Sequence, residues 1–318
     1  MEKGAAATDL RTDPTWRRLG RGHGQGPLRW RLAGRLAANL PEVRGRDRVV
    51  GWVKGPADEY TGPLRGRFVN GMLFDVDSCR DGSARALSTL RYRPPALAPV
   101  FAAVLGPGDC CYDVGANIGV YTLWAAGLVG LSGQVHAFEP VPDTMAVLRS
   151  MVRRNELPQV RLESCAVGAT AGETGMRTYR DASGLAHPVA DAGTADHIAR
   201  LTTLDAYVER HRPPDLVKID VEGFEIDVLR GAASLLAARS PALLLEMLPG
   251  LLTRQGGQAE LVARLTDAGY VIFNLTPEGI ATRGAFTPNV LALAPRWDRF
   301  DRVVAALERT PFPRNQTT

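Results

Sequence analysis

The sequence has no apolar run long enough to cross a bilayer. Its longest nearly apolar stretches, such as Leu123 to Leu131, fall well short of the ~18 to 20 residues a membrane helix needs. No transmembrane span is therefore expected. Met1-Glu2-Lys3-Gly4 leads into no apolar h-region, which argues against a secretory signal and for a cytoplasmic location. Cysteine is scarce: Cys79, Cys110, Cys111 and Cys165 show no C-x-x-C spacing, so neither a disulfide framework nor a thiolate metal site is expected. These thiols read as small buried hydrophobes. Internal repeats and low-complexity tracts are also missing, and no His/Asp/Glu cluster has metal-ligand spacing, so no metal is expected. What remains is an ordinary globular composition, 45% hydrophobic and 23% charged, over 318 residues that allow one large or two ordinary domains.

The net charge of +4 is unevenly placed. Residues 1 to 50 carry 11 Lys+Arg against 5 Asp+Glu, a net of +6, which leaves −2 for the rest. An Arg-rich segment can hold phosphates or an anionic surface, although a solvated extension is the simpler reading. Glu2, Asp9 and Asp13 count against organelle targeting. Residues 1–65 are thus expected to be a partly ordered accessory region, with a short helix near Leu28 to Leu40. Residues 66–105 should form a β-hairpin, turning at Asn70-Gly71, and a helix from Pro95 to Leu105 stopped by Gly106-Pro107-Gly108.

From there strand and helix alternate, which points to an α/β fold with a mostly parallel sheet and helices on both faces. The expected strands are Cys110 to Val114, Gln134 to Glu139, Val160 to Val167, Leu216 to Val221, Ala242 to Met247, Tyr270 to Leu275 and Val290 to Ala294. The expected helices are Val120 to Leu131, one with Pro142 in its first turn, Phe224 to Leu236, and Glu260 to Ala268. Residues between the third and fourth strands look irregular. The main domain should span 106–296, with 297–318 as a C-terminal tail.

The most informative segment is Asp113-Val114-Gly115-Ala116-Asn117-Ile118-Gly119, between a strand and a helix. Glycines there let the backbone turn sharply and approach a ligand. Glu139 follows at the end of the second strand, where a carboxylate can accept both ribose hydroxyls of a nucleotide. Asp113 would repel a pyrophosphate, but it suits a cationic amino-acid end such as that of S-adenosylmethionine. Ser164-Cys165-Ala166, ending the third strand, would lie near the adenine.

A second constellation, Lys218-Ile219-Asp220-Val221-Glu222-Gly223-Phe224-Glu225, carries three carboxylates and a lysine across a strand-to-helix turn. Asp220 and Glu222 should border the same crevice as Asp113, since ligands of open α/β sheets lie at the carboxyl ends of the strands. Glu225 is better explained by its place at a helix N-terminus. Asp220 is not, because a carboxylate ending a buried strand is costly unless paired or used.

Asp113 to Thr122 (D-V-G-A-N-I-G-V-Y-T), Phe138-Glu139-Pro140, Thr203-Leu204-Asp205 and Lys218 to Glu225 (K-I-D-V-E-G-F-E), with Leu229-Arg230-Gly231, resemble the FkbM family of S-adenosylmethionine-dependent methyltransferases. The resemblance runs from about Tyr92 to Leu275. It implies a class I methyltransferase (Rossmann-like) fold with a seven-stranded sheet, S-adenosylmethionine as cofactor, and O-methylation of hydroxyls on sugars, glycolipids or polyketides. It further implies that Asp113, Gly115, Asn117 and Gly119 line the methionine side, with Glu139 at the ribose. Cys165 and Ala166 complete the expected cofactor set. Methyl transfer needs the acceptor held near attack distance and its proton removed, so Asp220 and Glu222 are the expected catalytic residues, with His187 and His197 in reserve.

Partners are expected to be a small-molecule or glycan acceptor rather than nucleic acid, since no N-P-P-Y or D-P-P-Y motif is present and the basic excess lies outside the catalytic region. A nicotinamide-dependent oxidoreductase would want G-x-G-x-x-G where this chain has Gly115-x-x-x-Gly119. A non-catalytic protein that keeps the pocket is the other alternative.

Overall fold

The computed structural model describes residues 32, 64–68, 70–76, 95–179, 182–189, 194–247 and 257–313. Apart from Leu32, the helix expected near Leu28 to Leu40 lies outside these residues, as do Cys79 and the rest of the Arg-rich segment. No helix among the described residues is long and apolar enough to cross a membrane. The chain divides into two compact units: Met1–Pro95 with Ser150–Glu156, and Ala96–Arg149 with Leu157–Thr318.

In the first unit, β1 (Leu64–Arg67) and β2 (Leu73–Val76) form the expected antiparallel hairpin, with Arg67 opposite Leu73. Asn70 Oδ1 accepts from Met72 N at 3.2 Å and Gly71 adopts φ +89°, the left-handed turn conformation that Asn-Gly tolerates. Leu73 N donates to Asn155 Oδ1 at 2.6 Å, and Asn155 Nδ2 returns a bond to Leu73 O at 2.8 Å.

The second unit begins with α1 (Ala98–Val104). Then follow β3 (Cys110–Val114), α2 (Val120–Val129), β4 (Gln134–Phe138), α3 (Pro142–Arg154, whose last turns belong to the first unit) and β5 (Val160–Glu163). Four strands come next: β6 (Ala166–Val167), β7 (Gly172–Tyr179), β8 (Ala182–Val189) and β9 (His197–Thr202). After α4 (Leu204–Val208) the alternation resumes with β10 (Leu216–Ile219), α5 (Glu225–Arg230), α6 (Ala233–Arg239) and β11 (Ala242–Glu246). The described chain closes with α7 (Gly257–Asp267), β12 (Val271–Thr276), β13 (Gly279–Ala281), β14 (Asn289–Leu293) and α8 (Phe300–Leu307).

The main sheet runs β5-β4-β3-β10-β11-β14-β12-β13. Its first five strands are parallel, and β14 is antiparallel to both β11 and β12. The fold is therefore α/β with a mostly parallel sheet, as expected, but with eight strands instead of seven. The eighth, β13, is a three-residue return of the β12 hairpin, too short to carry a periodic signal. Every residue of β3, β10, β11 and β14 is buried, the mark of a sheet covered on both faces. Cys110, Tyr112 and Val114 face a core with Ile226, Leu229, Leu235 and Leu261. Cys111 and Asp113 point to the other side, where α2 packs on β3 and β4.

Four expectations change. The third strand ends at Glu163, not Val167, because the chain turns at Ser164 and Cys165 and Ala166–Val167 pairs with β9 in a separate sheet. The stretch read as irregular forms most of that sheet, ordered β6-β9-β7-β8. Strands β7 and β9 are largely polar, and β7 carries Met176 as a buried apolar side chain beside Gly175, so their apolar alternation is faint. The single helix expected over Phe224 to Leu236 is split at Gly231 into α5 and α6. Finally, the tail 297–318 contains α8, with Val303 and Leu307 buried, and Phe312 beyond it is buried as well. Arg299 fastens the start of this helix by a two-pronged pair to Asp109 at 2.7 and 2.8 Å.

Candidate functional site

Of the sequence-predicted residues, Asp113, Gly115, Asn117, Gly119, Glu139, Asp220 and Glu222 lie at or just past the carboxyl ends of β3, β4 and β10. Gly115 follows β3 with φ +78°, and its N–H and that of Ala116 donate to Phe138 O at 3.1 and 2.9 Å, tying the loop to the end of β4. A Cβ on Gly115 would meet Asp220 O at 1.9 Å, and one on Gly119 would meet Leu148 Cδ1 at 2.3 Å. The glycines thus answer to close approach by protein, the turn after β10 and the body of α3, and not to a ligand alone. Asn117 adopts φ +50°, a conformation Asn tolerates, and its Oδ1 accepts from Ile118 N at 2.8 Å.

Glu139, 6% exposed, stands just past β4. Its Oε2 accepts from Asn117 N at 2.9 Å and its Oε1 from Val141 N at 2.8 Å. The carboxylate is thereby fixed in orientation while each oxygen keeps a lone pair for a further donor. Burial pushes its pKa up to about 7, against the pull of those two backbone donors.

Asp113 is fully buried. Thr122 Oγ1 donates to its Oδ2 at 2.6 Å, and Lys218 Nζ lies 3.3 Å from its Oδ1. The same ammonium reaches Asp220 Oδ2 at 3.4 Å and donates to Gly115 O at 3.2 Å, with the Tyr121 ring 5.4 Å away. Burial alone would lower the Lys218 pKa, but Asp113 and Asp220 hold it above its ordinary value. Asp113 therefore has no surface to offer a ligand; it anchors the lysine that joins the two loops. This corrects the expectation that it meets the cofactor directly.

Asp220 and Glu222 are partly exposed in the turn after β10, Glu222 with φ +55°. Glu225, nearly fully buried in the first turn of α5, braces that turn: its Oε1 accepts from Val221 N at 3.1 Å and Gly223 N at 3.2 Å. Sequence reasoning missed one member, Glu246 at the end of β11. Asp220, Glu222 and Glu246 each bring a carboxylate oxygen within 4.8 Å of the others. At an effective dielectric of ~20, each ionised pair at that range repels by about 3 kcal/mol or more. Burial together with the charges of Asp220, Glu222 and Glu225 pushes Glu246 up to about 9, and burial with Asp220 and Glu225 pushes Glu222 up to about 7. The signal was available: Glu246 is a carboxylate ending a buried strand, the criterion already applied to Asp220. Spacing along the chain hid the group because its third member comes from a different strand.

The three residues expected near the adenine, Ser164, Cys165 and Ala166, differ in exposure. Cys165 is fully buried in the core with Phe138 and Leu204, and Ala166 is buried in β6, whereas Ser164 is exposed. Ser164 lines a cleft of about 320 Å³ with Pro140, Met145, Arg149, His197 and Arg200. His197 is thus on that cleft and not with the acidic turn; His187 lies in β8, opposite Arg177.

Residues 113–272 match the Methyltransferase FkbM domain profile. Over 90 residues, 28% of this chain and 34% of the relative, the sequence is 43% identical to "31-O-demethyl-FK506 methyltransferase FkbM" of Streptomyces tacrolimicus. Over 130 residues, 40% of this chain and 52% of the relative, it is 30% identical to "Hexuronic acid methyltransferase AglP" of Haloferax volcanii. The chain thus spans less than two thirds of either relative. Among solved structures, a methyltransferase FkbM from Methylobacillus flagellatus aligns with TM-score 0.43 and 17% identity, covering 67% of this chain and 55% of that one.

Proposed function

We propose that this chain, which belongs to the Methyltransferase FkbM domain family, is an S-adenosylmethionine-dependent O-methyltransferase acting on a hydroxyl of a sugar, glycolipid or polyketide-type metabolite. The observation that carries the reading is the Glu139 carboxylate, buried past β4 and held through both oxygens by backbone N–H groups, as a partner for a ribose diol. The residues present suit the cofactor: the acidic turn favours a sulfonium and an ammonium and would repel a pyrophosphate. S-adenosylmethionine, when bound, supplies a methyl carbon activated by its positively charged sulfur.

The chain's own residues do the rest. Glu139 orients the ribose. Asn117 and Gly115 shape the loop at the methionine side, and Asp113 acts on that loop through Lys218, as a positioning residue. Asp220 and Glu222, partly exposed beside it, hold the acceptor hydroxyl and receive its proton as the oxygen becomes bonded to carbon. The relatives' names, one an O-demethyl compound and one a hexuronic acid, support an oxygen acceptor on a small molecule or a sugar acid.

The test is incubation of the full chain with labelled S-adenosylmethionine and panels of glycosides, uronic acids and macrolides, read by mass spectrometry for a gain of about 14 Da, one CH₂ per methyl transferred. Cofactor binding without any methylated product would favour a non-catalytic protein. Binding of NAD in its place would overturn the cofactor.

A further inference from the structure

We infer that Asp220, Glu222 and Glu246 form a binding site for one hard divalent cation of the magnesium or manganese class, placed at the carboxyl ends of β10 and β11. Its position beside the acceptor rests on the function proposed above; its existence does not.

Three observations lead there. One carboxylate oxygen from each residue lies within 4.8 Å of the other two, a spacing that a shared cation with oxygen ligands accommodates. Independently, Glu246 is only 9% exposed and its Oε2 is buried with no hydrogen-bond partner. A buried carboxylate oxygen left without a donor is costly unless something outside the protein's own groups satisfies it. Finally, among the described residues the cation acting on Glu222 and Glu246 is Lys218, and that ammonium is already divided among Asp113, Asp220 and the Gly115 carbonyl. Glu225 does not complete the set, because its Oε1 is occupied by two backbone N–H groups.

The donor chemistry selects the metal. All three ligands are carboxylate oxygens, with neither thiolate nor imidazole, which suits magnesium or manganese better than zinc or copper. Magnesium binds through a few carboxylates and keeps several waters. Asp220 and Glu222 are partly exposed, so water or an acceptor oxygen can fill the remaining positions from the crevice side.

The test titrates Mn²⁺ into the EDTA-stripped full chain, with no donor or acceptor present, following free Mn²⁺ by electron paramagnetic resonance and Tm in parallel. The expected result is one saturable site per chain and a Tm that rises with Mn²⁺. Glu246→Gln and Glu222→Gln should each weaken binding tenfold or more and abolish the Tm rise, while circular dichroism shows a folded chain. Glu260→Gln should bind as wild type, since that carboxylate lies apart on α7 with Arg230 and Arg264. No saturable site, or wild-type affinity in both Gln variants, would overturn the inference and leave three carboxylates sharing protons. A chain that binds Mn²⁺ but methylates nothing keeps this site and loses the function proposed above; one that methylates without binding Mn²⁺ does the reverse.

Discussion

The carbonyl oxygen of Asp220 occupies the place where a side chain on Gly115 would begin: a Cβ there would stand 1.9 Å away. The glycine loop after β3 and the acidic turn after β10 are therefore pressed together backbone to backbone. Lys218 locks the contact by donating to Gly115 O while pairing with Asp113 and Asp220. The glycine loop and the acidic turn form one mechanical unit, so a change in either should be felt in both.

Gly115→Ala should destabilise the protein by clearly more than Gly284→Ala. Both positions have positive φ, +78° and +103°, so both substitutions carry the left-handed penalty of about 1 kcal/mol or more. Only Gly115 adds the collision with Asp220 O, while Gly284 has open space around it. Urea unfolding of the two variants isolates the difference, and equal midpoints would remove the close contact as a constraint.

Glu139→Ala should weaken S-adenosylhomocysteine binding about ten- to hundredfold, the worth of one or two hydrogen bonds to a charged acceptor. In the ribose role proposed for Glu139 the ionised carboxylate is the accepting form, and burial pushes its pKa up to about 7. Wild-type affinity should therefore fall as pH drops from 8 to 6, whereas Glu139→Gln, with no charge to lose, should show a flatter profile. Calorimetry at three pH values reads both effects.

Asp220→Asn keeps the shape of the turn and removes a charge. If Asp220 takes the acceptor proton, turnover should drop about 10²- to 10⁴-fold. A change confined to the acceptor KM would mean ground-state positioning instead.

His136, 3% exposed, bonds Tyr207 Oη at 2.7 Å, and burial followed by the nearby His211 pushes its pKa down to about 4. The folded state holds this ring neutral while the unfolded chain protonates it near 6.5, so its contribution is complete above about 6.5 and is lost as pH falls towards 4. The loss amounts to about 3 kcal/mol at the acid end. Other groups titrate over the same range, so the quantity to read is the stability of wild type minus that of His136→Asn. That difference should shrink between pH 7 and 5; a constant difference would show that His136 titrates alike in both states.

Leu307→Ala should cost about 2 to 4 kcal/mol, because Leu307 is 1% exposed in α8. A true tail would tolerate the change within about 0.5 kcal/mol. Thermal or denaturant unfolding decides between the two.

Much of this was legible along the chain. The strand at Cys110–Val114 was placed to the residue, and the start of α2 and the Asn70-Gly71 hairpin followed from buried runs, glycine stops and a turn dipeptide. These are local signals, set by backbone sterics and by the period of the apolar positions, and one stretch of sequence contains them whole. Asp113 could be named because it stands just ahead of the glycine turn, Glu139 because it follows the second strand at the spacing of a ribose acceptor, and Asp220 because a carboxylate just past a buried strand demands an explanation.

Tertiary structure decided everything that depends on two distant segments meeting. The polar strands β7 to β9 pair with one another although little of their sequence announces it, because backbone hydrogen bonds do not require an apolar stripe. Asp113 turned inward because Lys218 and Thr122 were there to meet its charge. Glu246 joined Asp220 and Glu222 because β10 and β11 pair in parallel, with Ile219 beside Leu245, so that their carboxyl ends lie side by side. A sequence states which residues are acidic and which runs are apolar; which acids share a site is set by strand register, and register is a property of the assembled sheet.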